Sequence, residues 1–184
     1  TISDLNPELT NLYNVVKKYP DLLIKELKKH QQMCCCINTA EDWYYEVRAW
    51  DREPGFWDRP EEEIAARTVY LNKTCFNGLY RVNSKGEFNV PFNGKLSGGS
   101  FHAEHLREVS KQIQNIEFRC TDFAKAVHDA LPGDFVFIDS PYAPLTPTSF
   151  VDYTKEGFAY EDHVRLAGVF KELTDSGVKC MLTN

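Results

Sequence analysis

Phe135-Val136-Phe137-Ile138-Asp139-Ser140-Pro141-Tyr142 is the stretch whose reading decides the fold. The apolar run Phe135 to Ile138, launched by the turn residues Pro132-Gly133-Asp134, reads as a buried strand. It stops at a carboxylate, a proline and an aromatic ring. Open α/β sheets gather their chemistry just beyond the carboxyl ends of strands, so Asp139 to Tyr142 is a candidate site. Taken alone, the four residues fit an ordinary Asp-Ser-Pro turn equally well, and their weight comes from the rest of the chain.

Towards the C-terminus, Leu166, Val169, Phe170 and Leu173 form a helical stripe that Gly177 stops, and Val178 to Leu182 is strand-like. Strand, helix and strand in that order predict a right-handed parallel unit. Upstream, a helix is expected near His102 to Gln114, a short strand over Ile116 to Arg119 and a helix over Asp122 to Ala130. Ile2-Ser3-Asp4 looks like the tail of a strand. Asn6 can cap a helix that begins with Pro7, where a missing N–H costs nothing, and Leu9, Leu12, Tyr13 and Val16 share its apolar face. Pro20 restarts a second helix with Leu23, Ile24 and Leu27 inward; a third covers Ala40 to Ala49, and a fourth Glu61 to Leu71. Trp43, Tyr44, Tyr45 and Trp50 read as core, and Arg52 to Pro60 as a loop. Tyr80 to Pro91 alternates around Asn83-Ser84-Lys85-Gly86, a hairpin and its turn, and the glycine- and serine-rich stretch Asn93 to Ser100 reads as mobile. Helices and a hairpin are thus inserted within an α/β frame.

At 184 residues the chain can bury a real core, and no apolar run approaches the length of a membrane span. A net charge of -6 argues against a generic polyanion binder without excluding a local basic surface. Such a surface lies between Lys73 and Lys95, where four basic residues meet one acid for a local charge of +3. Of the six cysteines, Cys34, Cys35 and Cys36 are consecutive and the others lie far apart, so no zinc or redox spacing exists. They are expected to be reduced, mostly buried thiols of a cytoplasmic protein, and no metal is expected. The chain ends read as those of a fragment or trimmed domain.

Three stretches carry a family resemblance. They are Leu71 to Asn83 with Lys85-Gly86-Glu87-Phe88-Asn89-Val90-Pro91-Phe92; Asp139-Ser140-Pro141-Tyr142-Ala143-Pro144-Leu145; and Phe150-Val151-Asp152-Tyr153-Thr154 leading to Gly157-Phe158. With the opening Ser3 to Leu9 and Asn11-Leu12-Tyr13, they resemble the DNA-adenine methyltransferase (Dam) family, in that family's order and over essentially the whole chain. Two departures stand out. Ser140 occupies a position where the family usually has proline, and Asn93 intervenes before Gly94 and Lys95.

The resemblance implies a Rossmann-like S-adenosylmethionine-dependent methyltransferase fold of the α/β class. Residues 1–6 and 103–184 would form the catalytic domain, and 7–102 an inserted helical and hairpin DNA-recognition domain with its hairpin near 79–92. It implies transfer of a methyl group from S-adenosyl-L-methionine to N6 of a flipped adenine in double-stranded DNA, in a GATC-like site, by a monomer encoded by a bacterium or phage. A restriction-modification or a regulatory role would both fit. The alternatives are a non-catalytic DNA-binding module and an RNA or protein N-methyltransferase. The family's cofactor loop and its lysine-bearing segment would precede Asp4, so the chain on its own is expected to be poorly stable and inactive.

Site residues follow by the same resemblance. Asp139 and the carbonyl of Ser140 would accept hydrogen bonds from the adenine amine, Pro141 would fix the chain direction, and Tyr142 would stack on the flipped base. Asp139, Asp4 and Thr121-Asp122-Phe123 would line the cofactor; Asp4, between a strand and a helix, has the position that doubly wound folds give to a ribose-binding acid. Arg81 would read guanine, Phe76 and Leu79 would wedge into the duplex, and Asn77 would reach a base edge. Lys73 and Lys85 would contact phosphate, with Pro91 and Lys95 also in the interface. Read without the family, Phe76 and Leu79 are hairpin core, the lysines a solvated face, Asp4 an ordinary helix-flanking acid and Asp122 a helix cap.

Overall fold

The computed structural model describes residues 1–34, 36–95, 101–142 and 157–183. Among these residues four short strands and seven α-helices follow one another as β1 (Ile2–Asp4), α1 (Pro7–Lys18), α2 (Pro20–Met33), α3 (Ile37–Ala49), α4 (Glu61–Thr74), α5 (Ala103–Gln112), β2 (Phe118–Cys120), α6 (Phe123–Ala126), β3 (Phe135–Asp139), α7 (Tyr160–Asp175) and β4 (Lys179–Thr183). The class is α/β, as expected. No helix among the described residues is long and apolar enough to cross a membrane.

The strands form two parallel pairs. β1 lies beside β2 with Asp4 opposite Cys120, and β3 beside β4 with Asp139 opposite Thr183. Among the described residues the pairs are not hydrogen-bonded into one sheet. Alternation sends Phe135, Phe137 and Asp139 to one face of β3 and Val136 and Ile138 to the other. Phe135 and Phe137 are 63% and 54% exposed, and Met181, opposite Phe137, is 54% exposed. This face is apolar and uncovered by the described residues.

Local chemistry sets the helix ends. Asn6 accepts from the N–H groups of Glu8 and Leu9, as an N-cap should. Gly177 (φ +85°) takes the left-handed conformation that ends α7 and lets its carbonyl accept from Gly133 N at 2.9 Å, tying the turns that precede β3 and β4. Two helices are longer than their periodicity suggested, α3 beginning at Ile37 and α4 reaching Thr74. The helix expected over Asp122 to Ala130 stops at Ala126. Its continuation closes in turns, with Ala130 N bonded to Val127 O at 3.1 Å, ahead of Pro132.

α4 lies between two apolar clusters. Ala65 and Ala66 pack with Val15, Val16, Leu23 and Leu27 of α1 and α2, against Leu106, Val109 and Ile113. Tyr70, Leu71 and Cys75 pack with Tyr44, Val47, Phe88 and Val90 of α3 and the hairpin. So α5, which follows residue 102, shares a core with the helices before it. α1 in turn reaches the strands, its Tyr13 ring stacked on Phe118 at 5.1 Å.

His30 is buried between these helices, stacked on Tyr70 at 4.7 Å and accepting from Trp43 Nε1 at 3.1 Å. Burial pulls its pKa from about 6.5 to about 4. The folded state therefore refuses a proton that the unfolded chain takes, so stability falls as pH drops from about 6.5 towards about 4, by at most about 3 kcal/mol. Urea unfolding midpoints measured across that window should show the loss, and His30→Phe should remove most of the slope.

Candidate functional site

The sequence Cys75-Phe76-Asn77-Gly78-Leu79 leaves α4 through a 3₁₀ turn over Phe76–Gly78. Asn77 and Gly78 both adopt positive φ, +55° and +63°. Asn72 closes the turn from α4, donating Nδ2 to Gly78 O at 2.8 Å. The turn points side chains outward: Phe76 is 51% and Leu79 48% exposed. The hairpin core is made by other residues, Val82, Phe88 and Val90, all buried. The reading of Phe76 and Leu79 as hairpin core is therefore corrected; the turn conformation places them on the surface.

The hairpin is a minimal one. Single antiparallel bridges join Val82 to Phe88 and Cys75 to Phe92, and Asn83 organises the tip, its Oδ1 accepting from Lys85 N and Glu87 N. Phe76 N donates to Pro91 O at 2.9 Å and Asn93 N to Thr74 O at 2.9 Å, so the returning strand docks on the end of α4. A concavity of about 420 Å³ opens there, lined by Lys73, Phe76, Asn77 and Lys95 among others. Four of the eight interface residues expected from sequence thus meet in one place. Lys85 sits apart, at the exposed tip. Arg81 is partly exposed, and Asn89 Oδ1 holds its Nε at 2.6 Å, while its two terminal nitrogens make no hydrogen bond among the described residues.

The hairpin is anchored by a buried ionic cluster that sequence reading missed. Arg67 on α4, 1% exposed, donates to Glu8 Oε2 at 2.6 Å and to the carbonyls of Val47 and Arg48, and lies 2.7 Å from Asp51 Oδ2. Asp51 Oδ2 also accepts from Phe88 N at 2.8 Å. Burial pushes the Glu8 carboxyl up, against the pull of Arg67. Nothing in periodicity marks Arg67, because charged residues on a helix usually face solvent.

At the other site, β3 delivers Asp139 to the carboxyl end of its strand pair. Thr183 Oγ1 donates to Asp139 Oδ1 at 2.6 Å, and Ser140 Oγ donates to Thr183 O at 3.2 Å. Tyr142 is 65% exposed. Ala143 to Leu145 and the Phe150 to Thr154 stretch lie outside the described residues, as do Leu96 to Ser100 and Cys35.

Asp4 and Thr121-Asp122-Phe123 come together at the carboxyl ends of β1 and β2, where Thr121 N donates to Asp4 O at 3.1 Å. Asp4 Oδ1 accepts from Asn6 N at 2.7 Å; Oδ2 has no partner among the described residues. Asp122 is fully engaged. It caps α6 through Ala124 N and takes both terminal nitrogens of Arg165 at 2.7 and 2.8 Å, and this pairing holds its carboxyl below the usual range. The same guanidinium covers one face of the Phe123 ring at 4.1 Å. Arg165, on α7, thereby ties the two strand pairs together; its spacing in the sequence carries no sign of this.

The family model for D12 class N6 adenine-specific DNA methyltransferases matches residues 1–184. The Type II methyltransferase M1.LlaDCHI of Lactococcus lactis subsp. cremoris is 42% identical over the whole chain, and the Type II methyltransferase M.MjaIII of Methanocaldococcus jannaschii 40%. The DNA adenine methylase of Escherichia coli (strain K12) is 30% identical over the whole chain. The chain spans 64% of the length of the first two and 63% of the third.

Proposed function

This chain belongs to the D12 class N6 adenine-specific DNA methyltransferase family, and on that premise we propose that it transfers a methyl group to N6 of an adenine flipped out of double-stranded DNA, within a GATC-like site. The observation that carries the reading is the presentation of Asp139 at a strand end, followed three residues on by the ring of Tyr142, 65% exposed among the described residues.

An exocyclic adenine amine is a poor nucleophile because its lone pair is delocalised into the ring. Asp139 and the Ser140 carbonyl counter this by accepting hydrogen bonds from the amine's two N–H groups, which leaves the lone pair aimed outward. The Ser140 contact needs only main chain, so serine serves where the Dam family usually has proline. Tyr142 stacks on the base and offsets roughly 1–3 kcal/mol of its unstacking. S-Adenosylmethionine would supply an electrophilic methyl group, and the residues present fit it: Asp4 Oδ2, without a partner among the described residues, can take ribose hydroxyls, and Phe123, packed between Arg165 and Phe158 (ring centroids 6.1 Å apart), would border the adenine. Asp122 serves that site as a strut, since Arg165 and the cap of α6 occupy its carboxylate.

DNA recognition falls to residues 7–102, with 1–6 and 103–184 forming the catalytic part. Phe76 and Leu79 fill the gap a flipped base leaves; Lys73, Lys95 and Lys85 meet phosphates; Asn77 and Pro91 border the base edges. With Nε held by Asn89, the Arg81 fork presents its terminal nitrogens for bidentate pairing with guanine.

Arg81→Ala should relax discrimination at one base pair by about 1–3 kcal/mol. Lys73→Ala should weaken all duplexes alike and lower the salt slope. Equal losses on cognate and non-cognate duplexes for both variants would mean that Arg81 meets only phosphate. The reading as a whole is tested by methyl incorporation into an adenine-containing duplex by the full-length protein, compared with a duplex lacking the target adenine. No difference between them would end it.

A further inference from the structure

We propose that Thr183 is the positioning residue for Asp139, selecting which oxygen of its carboxylate receives the adenine amine; this rests on the methyl-transfer reading above. Register places the two residues opposite each other at the ends of β3 and β4. The Thr183 hydroxyl carries one proton. Its contact with Ile138 O is 3.4 Å, whereas Asp139 Oδ1 lies at 2.6 Å, so the shorter bond to the charged acceptor takes the proton. A carboxylate at an exposed strand end otherwise rotates about its terminal torsion, which is broad and roughly two-fold. Bonding Oδ1 stops that rotation, sets the plane of the carboxylate, and leaves Oδ2 as the oxygen without a partner among the described residues.

The same residue also restrains the second acceptor. Ser140 Oγ donates to Thr183 O at 3.2 Å, so the peptide carrying the Ser140 carbonyl is tied to the end of β4. Where the Dam family usually relies on proline for stiffness at this position, this chain has a hydrogen bond across the strand pair. The amine thus meets two acceptors held by one neighbouring residue, through its hydroxyl and its carbonyl. Thr183 touches neither the base nor the methyl donor in this arrangement; it acts through Asp139 and Ser140.

The test is single-turnover methyl transfer by the full-length protein and its variants. Thr183→Val, which keeps shape and removes the donor, should slow transfer by roughly 10–100-fold, the loss expected when a catalytic group is held loosely. Thr183→Ser should restore the rate to within about threefold of the parent. Dissociation constants for S-adenosylmethionine and duplex, base flipping by 2-aminopurine fluorescence, and the melting temperature should stay at parent values. If Thr183→Val fails to fold, Thr183→Ala is measured in the same way. Parent-like transfer by the variant, or a rate loss matched by an equal loss of cofactor or DNA binding, overturns the inference. Asp139→Ala separates the two readings: its retaining activity would sink the methyl-transfer mechanism itself, whereas its inactivity beside an unimpaired Thr183→Val would sink only the role of Thr183.

Discussion

Asp139→Ala should reduce methyl transfer by roughly 10³-fold or more while duplex affinity stays within a few fold of the parent. The asymmetry follows from where the residue sits. Asp139 closes β3, and the cationic and apolar groups proposed to hold DNA belong to the turn after α4 and the hairpin. In the proposed mechanism the carboxylate would contact one atom of one base, so its loss should remove little binding. Transfer requires that atom to present a lone pair, and only an acceptor positioned at the amine provides it. Asp139→Asn should be less damaging than Asp139→Ala, because the amide oxygen can still accept from the amine while Nδ2 turns to the Thr183 hydroxyl, which can accept as well as donate. Incorporation of labelled methyl groups and duplex titration by anisotropy give the two quantities separately. Near-normal turnover in Asp139→Ala would remove the residue from the mechanism.

Arg67→Ala should destabilise the protein by about 3–5 kcal/mol, the cost of leaving the buried Glu8 carboxylate without its ionic partner while Asp51 keeps only Arg52. Glu8 and Asp51 are both held by Arg67, whose own side chain is almost inaccessible. Against a typical total of 5–15 kcal/mol, such a loss brings a domain close to unfolding. Asp51 also fixes Phe88 N, so the hairpin should loosen first, seen as faster amide exchange at Phe88. Glu8→Gln should cost much less, because a neutral amide oxygen still accepts from Arg67 and Thr68. Urea unfolding of the three proteins orders them, and an Arg67→Ala loss under about 1 kcal/mol would show that water readily replaces the guanidinium.

Much of the chain's organisation follows from short-range chemistry and is legible in its residues. Asn6 and Pro7 start α1 as their capping and φ preferences require. The apolar run of β3 and its stop at Asp139 are a strand and its end, and the stripe from Leu166 to Leu173 is a helix ended by Gly177. The ordered motifs name the family because each must keep its residues in sequence. Tertiary structure decided what depends on residues far apart. Phe76 and Leu79 read, without the family, as hairpin core, and the left-handed pair Asn77 and Gly78 turns them to the surface. Arg67 reads as a solvated helix residue until α1, the turn at Asp51 and the hairpin close around it with matching charges. Asp122 reads as a cofactor ligand or a cap, and Arg165, 43 residues away, claims its carboxylate. Thr183 is one hydroxyl in a strand until parallel register sets it against Asp139, 44 residues earlier in the chain. Periodicity reports which face a residue occupies, but the partner it meets is set by how the elements pack.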